Sequence, residues 1–178
     1  MKRLIACALL AAAIAAPAFA ALKPGAAAPD FTAQGALGGQ PFSFTLSQAL
    51  KKGPVVLYFF PSAFTKGCTI EAHEFAEASD DFKALGATVI GVTAGNVDRL
   101  AEFSVSECRS KFAVAAVSKE TIKAYDAVLA LKPDLSDRTS YVIAPNGRIV
   151  FVHSDLNPLD HITLTLKAVK DWRAANPG

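Results

Sequence analysis

The chain has 178 residues, 52% of them hydrophobic, and its 18 lysines and arginines nearly balance 16 aspartates and glutamates. This length is enough for one domain with a sizeable core and short for two. A formal charge of +2 without any Lys/Arg cluster excludes a basic face of the kind that holds nucleic acid.

Residues 1–20 read as a secretory signal peptide: Lys2 and Arg3, an apolar run from Leu4 to Ala16, then Pro17-Ala18-Phe19-Ala20 with a small-x-small cleavage pattern. The run is too short to span a bilayer stably, and no later segment approaches the needed length. The expectation is an exported protein, periplasmic or secreted, without stable membrane insertion, whose single domain covers 21–178. The apolar stretch ahead of Cys7 is too short for a lipoprotein site. Losing Lys2 and Arg3 leaves 16 basic against 16 acidic side chains, so the mature chain is neutral. Cys68 and Cys108 then remain, and a pair in an exported protein forms either a static disulfide or one made and broken in turnover.

After a small-residue lead-in over 21–28, Ala28-Pro29-Asp30-Phe31-Thr32 starts an extended segment and Leu37-Gly38-Gly39-Gln40 marks a turn. Phe42-Ser43-Phe44 alternates like a half-buried strand. Thr45 or Ser47 is placed to cap a short helix ending near Lys52-Gly53. Residues 54–60 (Pro-Val-Val-Leu-Tyr-Phe-Phe) form a continuous apolar run, as expected of a central strand buried on both faces. The following helix carries Phe75, Ala78, Phe82 and Leu85 at three- and four-residue intervals and ends at Gly86.

Cys68 falls at the start of that helix. Only a thiolate is a competent nucleophile, and a free thiol titrates near about pH 8.5. Unpaired N–H groups and the positive end of the helix dipole favour an anion there. Gly67 permits close backbone approach, and Thr65 brings a hydroxyl to the same turn. The turn reads as an anion-binding pocket holding a nucleophile, with Cys68 on the core-facing side, seven residues before Phe75.

Pro61-x-x-x-Thr65-x-x-Cys68 after an apolar strand resembles the active-site motif of the peroxiredoxins, thiol peroxidases built on a thioredoxin fold. Tyr-Phe-Phe-Pro and Thr-Lys-Gly-Cys-Thr-Ile-Glu-Ala look most like the bacterioferritin comigratory protein, or peroxiredoxin Q, branch. The resemblance implies an α/β fold with a central mixed sheet flanked by helices and an N-terminal hairpin added to the thioredoxin core. It runs from about Ala28 to Trp172.

His73 holds the position where many members of that branch carry a second, resolving cysteine. Five residues along the helix turn it roughly 140° from Cys68 at about 3.6 residues per turn, so it reads as a solvated surface histidine and not as a general base. His153 and His161 share no metal-ligand spacing with it, and neither a metal nor a cofactor is expected.

Residues 87–93 read as the next strand. Asn96 is placed to cap a helix carrying Val97, Leu100, Ala101 and Phe103, with Cys108 at or just past its end. A short strand over 112–117, a helix over 118–127 capped by Ser118 and a loop through 132–137 follow. Arg138 then opens a strand over 138–143, Ala144-Pro145-Asn146-Gly147 turns it, and 148–152 returns antiparallel. A final helix over 160–174 places Ile162, Leu166, Val169 and Trp172 on one face. Alternating strands and helices followed by a hairpin and a helix fit the α/β class.

By resemblance, Cys68 is the peroxidatic cysteine, oxidised by a hydroperoxide to sulfenic acid, and Cys108 resolves it as a disulfide. Thr65, Arg138 and the Cys68 backbone N–H would hold the peroxide, Pro61 would limit water, and Glu71 would help position the arginine. A thioredoxin-like dithiol is the implied reductant, and a monomer or homodimer the implied assembly. Two other readings come from other classes. A thiol-disulfide oxidoreductase requires Cys-x-x-Cys, but Thr65 and Glu71 occupy the positions three before and three after Cys68. A redox sensor or binding module on the same fold would oxidise without turnover.

Overall fold

The computed structural model describes residues 21–177. The signal peptide expected over 1–20, with Cys7, lies outside them. Seven strands form one sheet: β1 (Thr32–Leu37), β2 (Gln40–Thr45), β3 (Val55–Phe59), β4 (Thr88–Thr93), β5 (Ala113–Ala116), β6 (Thr139–Ile143) and β7 (Ile149–Ser154), in spatial order β2-β1-β5-β4-β3-β6-β7. β3, β4 and β5 are parallel, β6 runs antiparallel to β3, and β6–β7 and β1–β2 are hairpins. This is the mixed sheet of a thioredoxin-like fold, with the expected N-terminal hairpin joined to β5.

Every residue of β3 is buried, because its alternate side chains enter two cores. Val55, Leu57 and Phe59 pack with α1 (Leu46–Leu50) and Ile122 of α5 (Lys119–Ala124). Val56, Tyr58 and Phe60 face α2 (Lys66–Glu77), α3 (Ser79–Ala84), α4 (Leu100–Ser106) and α6 (Asp160–Ala175). Gly91 on β4 lies opposite Tyr58, and a Cβ there would meet the Tyr58 ring at 2.5 Å. The ring uses that space and stacks on Phe75 at 4.4 Å.

The structure corrects several local expectations. The helix expected to run unbroken to Gly86 divides at Ala78, where the Ser79 hydroxyl donates back to the Phe75 carbonyl at 2.8 Å and competes with the helical ladder. Neither Thr45 nor Ser47 caps α1 through its side chain; the Thr45 hydroxyl pairs with that of Thr32, and Asp30 accepts from the Ser47 N–H at 2.9 Å. Asn96 does not cap a helix with its side chain either. It sits in the left-handed region (φ 57°) before a 3-10 turn over Val97–Arg99, and its amide donates to the Ala63 carbonyl at 3.2 Å. Ser118 caps α5 as expected, accepting from the Thr121 N–H, but the helix stops short of Ala127 because Asp126 turns left-handed at φ 51°.

Candidate active site

Cys68 occupies the first turn of α2, three residues past Thr65, and its side chain is buried. The position follows from β3: the chain leaves the end of that strand, crosses Pro61 to Thr65, and enters the helix with its first N–H groups lacking partners one turn earlier. Antiparallel pairing of Phe59 with Thr139 sets Arg138 beside the same strand end. A residue 70 positions away thereby reaches Cys68, with Arg138 Nη2 standing 3.5 Å from Cys68 Sγ.

The guanidinium is fixed on its other sides. Nη1 donates to Glu71 Oε2 and Nε donates to the Leu156 carbonyl at 3.0 Å. Burial alone would favour loss of the Arg138 proton, but the charges of Glu71 and Cys68 outweigh it and raise the pKa. Glu71 is fully buried one helical turn after Cys68, and burial pushes its carboxyl up to about 8 although Arg138 pulls the other way. Gly67 makes room for this group, since a Cβ there would lie 2.9 Å from Arg138 Nη2.

The remaining loop residues are held by hydrogen bonds within and next to the loop. Thr65 is exposed, and its hydroxyl donates to the Ser62 carbonyl at 3.1 Å, closing the turn. Pro61 is half-buried, and its carbonyl accepts from the Thr93 hydroxyl at 3.1 Å. Phe64 lies at φ 63°, a backbone region costly for a bulky side chain. Its ring holds edge-on to Phe103, with the Arg99 guanidinium 3.9 Å from the ring centre.

Cys68 and Cys108 are both free, buried thiols. Cys108 follows α4, and burial, then Glu107, pushes its pKa up. Three polar pairs fasten the segment around it to the α2–α3 helices: His73 to Glu107 at 2.9 Å, Glu77 to Arg109, and Asp80 to Lys111 at 3.3 Å. His73 is therefore not a merely solvated histidine. It shares this row because residues 73 and 77 lie on one face of α2 and Asp80 follows in the first turn of α3. Arg109 and Ser110, just beyond Cys108, both adopt positive φ, 49° and 57°.

Behind Glu71 lies a polar network that no sequence spacing announced. His161 of α6 is fully buried; its Nδ1 is 2.8 Å from Ser140 Oγ and 3.7 Å from Glu71 Oε1, and its Nε2 is 2.8 Å from the Asp155 carbonyl. His153 packs its ring against that of His161 at 4.6 Å. Among the described residues no group of three or more His, Cys, Asp or Glu is arranged to hold a metal ion, and no helix is long and apolar enough to cross a membrane.

Residues 24–152 match the family model described as AhpC/TSA family. The chain belongs to the AhpC/TSA family. Peroxiredoxin Q of Arabidopsis thaliana, described as chloroplastic, is 34% identical over 156 residues, which span 85% of this chain and 69% of that one. Peroxiredoxin Bcp of Bacillus subtilis is 27% identical over 123 residues, 66% of this chain and 78% of that one. The crystal structure of peroxidoxin BcpB from Mycobacterium tuberculosis matches with a TM-score of 0.74 at 25% identity, covering 84% of this chain and 97% of that one. This AhpC/TSA chain is accordingly an enzyme, an oxidoreductase of the peroxidase type on a thioredoxin fold.

Of the residues singled out from the sequence, the fold brings Gly67, Cys68, Glu71 and Arg138 of this AhpC/TSA enzyme into one cluster. It leaves Cys108 unbonded to Cys68. Ser140 had a signal in principle, being two residues after Arg138 in a strand and so on the same face. His161 had none, since its approach depends on how α6 packs over β6.

Proposed function

We propose that the protein reduces hydrogen peroxide and organic hydroperoxides through Cys68. The observation that carries this reading is the Arg138 guanidinium, held by Glu71 and by the Leu156 carbonyl with Nη2 3.5 Å from Cys68 Sγ. The thiolate sulfur attacks the terminal peroxide oxygen, so that an S–O bond forms as the O–O bond breaks. Sulfur gives up two electrons and becomes a sulfenic acid, and the departing oxygen takes a proton to leave as alcohol or water. A fixed cation beside the sulfur compensates the charge that passes to the departing oxygen. The unpaired N–H groups of the first turn of α2 orient the peroxide. Pro61 and Thr65 hold the loop that presents them.

Cys108 then condenses with the sulfenic acid to a disulfide with loss of water, and a thioredoxin-like dithiol outside the cytosol reduces it. Residues 1–20 direct the export. Cys108 and Cys68 are buried in the same core, and a shift of the segment from Glu107 to Lys111 brings the two sulfurs together. The unbonded state of Cys108 leaves a second reading, a one-cysteine peroxidase in which an external thiol attacks the sulfenic acid directly.

Treating the fully reduced protein with one equivalent of hydrogen peroxide and mapping cysteines by non-reducing peptide mass spectrometry tests both. A rapid Cys68–Cys108 disulfide supports the two-cysteine route. Sulfenic or sulfinic acid on Cys68 with Cys108 free supports the one-cysteine route. An unreacted Cys68 overturns the peroxidase reading, and oxidation without turnover by any dithiol leaves a sensor.

A further inference from the structure

The Asp155 carbonyl can only accept a hydrogen bond, so the His161 Nε2 at 2.8 Å from it must carry a hydrogen. In the neutral ring Nδ1 is then an acceptor, and the Ser140 hydroxyl at 2.8 Å donates to it. Full burial keeps the ring neutral, its pKa pushed down to about 4, first by desolvation. Nδ1 therefore has no hydrogen to offer Glu71 Oε1, 3.7 Å away. That oxygen is buried and has no hydrogen-bond partner. An ionised carboxylate would leave charge on a buried oxygen to which no protein group donates, an arrangement that costs energy. A proton on Oε1 removes the charge from that undonated oxygen.

Charge counting leads to the same place. Arg138 is one cation in contact with Cys68 Sγ and with Glu71 Oε2. A thiolate with a carboxylate would leave one buried negative charge uncompensated. The other groups facing the cluster supply no second cation. From β3 comes Tyr58, whose hydroxyl is buried, unpartnered and held in its neutral form by burial. From β7 comes His153, edge-on to His161, and from the following loop only the exposed carboxylate of Asp155.

We propose that Glu71 carries a proton on Oε1, the oxygen not engaged by Arg138, while Cys68 is a thiolate, and gives it up when the sulfur becomes a neutral sulfenic acid. The step rests on the peroxidatic reading of Cys68. Its balance is Cys68 thiolate, hydroperoxide and Glu71 carboxylic acid going to Cys68 sulfenic acid, alcohol or water, and Glu71 carboxylate. Sulfur loses the two electrons that the O–O bond gains, and the proton from Glu71 appears, overall, on the departing oxygen. The cluster is neutral before and after. Glu71 and His161 are positioning residues, since neither touches the peroxide: His161 sets where the proton rests, and Glu71 keeps Arg138 matched to one anion at a time.

Infrared difference spectroscopy on Cys108→Ser protein, reduced and after one equivalent of hydrogen peroxide, in light and heavy water, reads the proton directly. The expected result is a deuterium-sensitive carbonyl stretch of a protonated carboxyl in the reduced protein that disappears as the sulfenic acid forms. The same band should be missing from the Glu71→Gln, Cys108→Ser protein and displaced in the His161→Asn, Cys108→Ser protein. A chemical trap for sulfenic acid is applied to each sample. Sulfenic acid at Cys68 with no carboxyl band lost overturns the proposal and leaves the peroxidase reading intact. No sulfenic acid at Cys68 overturns both.

Discussion

Gly67 and Arg138 occupy adjoining space, so that a Cβ on Gly67 would stand 2.9 Å from Arg138 Nη2. The guanidinium cannot yield freely, because Glu71 and the Leu156 carbonyl hold its other nitrogens. Gly67→Ala is therefore expected to displace Nη2 from Cys68 while leaving the fold intact, since alanine is the better helix residue. Losing a hydrogen bond to a charged group, about 1.5–3 kcal/mol, corresponds to roughly a 10- to 100-fold fall in the rate of Cys68 oxidation by peroxide. Stopped-flow rates beside urea denaturation check this, and an unchanged rate would mean that the arginine does not act on the sulfur.

Glu71 and His161 should impose opposite pH dependences on stability. The folded carboxyl is raised from 4.5 to about 8, so the folded state keeps a proton that the unfolded chain has lost, and stability falls as pH rises through that window. The folded imidazole is lowered from 6.5 to about 4, so the unfolded chain binds the extra proton, and stability rises with pH across that interval. Each slope is at most about 1.4 kcal/mol per pH unit. They offset one another below pH 6.5, leaving Glu71 to lower stability above it. Asp137, raised by burial from 3.8 to about 6, adds to the fall at lower pH but is common to any two variants compared. The unfolding free energy of wild type minus that of Glu71→Gln should decline with pH between 4.5 and 8. A pH-independent difference would contradict it.

The three pairs that fasten the Cys108 segment should make its exposure sensitive to salt. Pairs with exposed members contribute about 0.2–1 kcal/mol each, and molar salt shortens screening to about 3 Å. Native-state reaction of Cys108 with a water-soluble thiol reagent, in Cys68→Ser protein, should accelerate several-fold from low to high salt. Adding Glu77→Gln and Asp80→Asn should give much of the fast rate at low salt and flatten the response. A salt-independent rate in the parent protein would show that the pairs do not govern access to this thiol.

Asn96 joins the two loops that meet at the end of β3. Its left-handed backbone is tolerated by asparagine and glycine, and its amide bonds to the Ala63 carbonyl. Asn96→Ala should cost about 1–2 kcal/mol for the backbone together with a further ~1 kcal/mol for the hydrogen bond. Asn96→Gly should recover most of the backbone part. Urea denaturation of both variants decides it, and equal losses for alanine and glycine would remove backbone strain from the explanation.

The sequence by itself determined what depends on neighbours along the chain. The apolar run of β3, Gly38-Gly39 and Asn146-Gly147 at their turns, Ser118 as a cap and Cys68 at a helix start are all local patterns of periodicity or backbone freedom. Tertiary structure alone decided what depends on register and packing between elements. The pairing of Phe59 with Thr139 sets Arg138 against Cys68. The seat of α6 puts His161 behind Glu71, and the lie of the Cys108 segment along α2 pairs His73 with Glu107. The Thr65 hydroxyl, which local sequence places at the same turn as Cys68, takes the Ser62 carbonyl as its acceptor. Hydrogen bonds and ion pairs act over a few ångströms, so partners far apart in sequence are chosen only once the sheet and helices have packed.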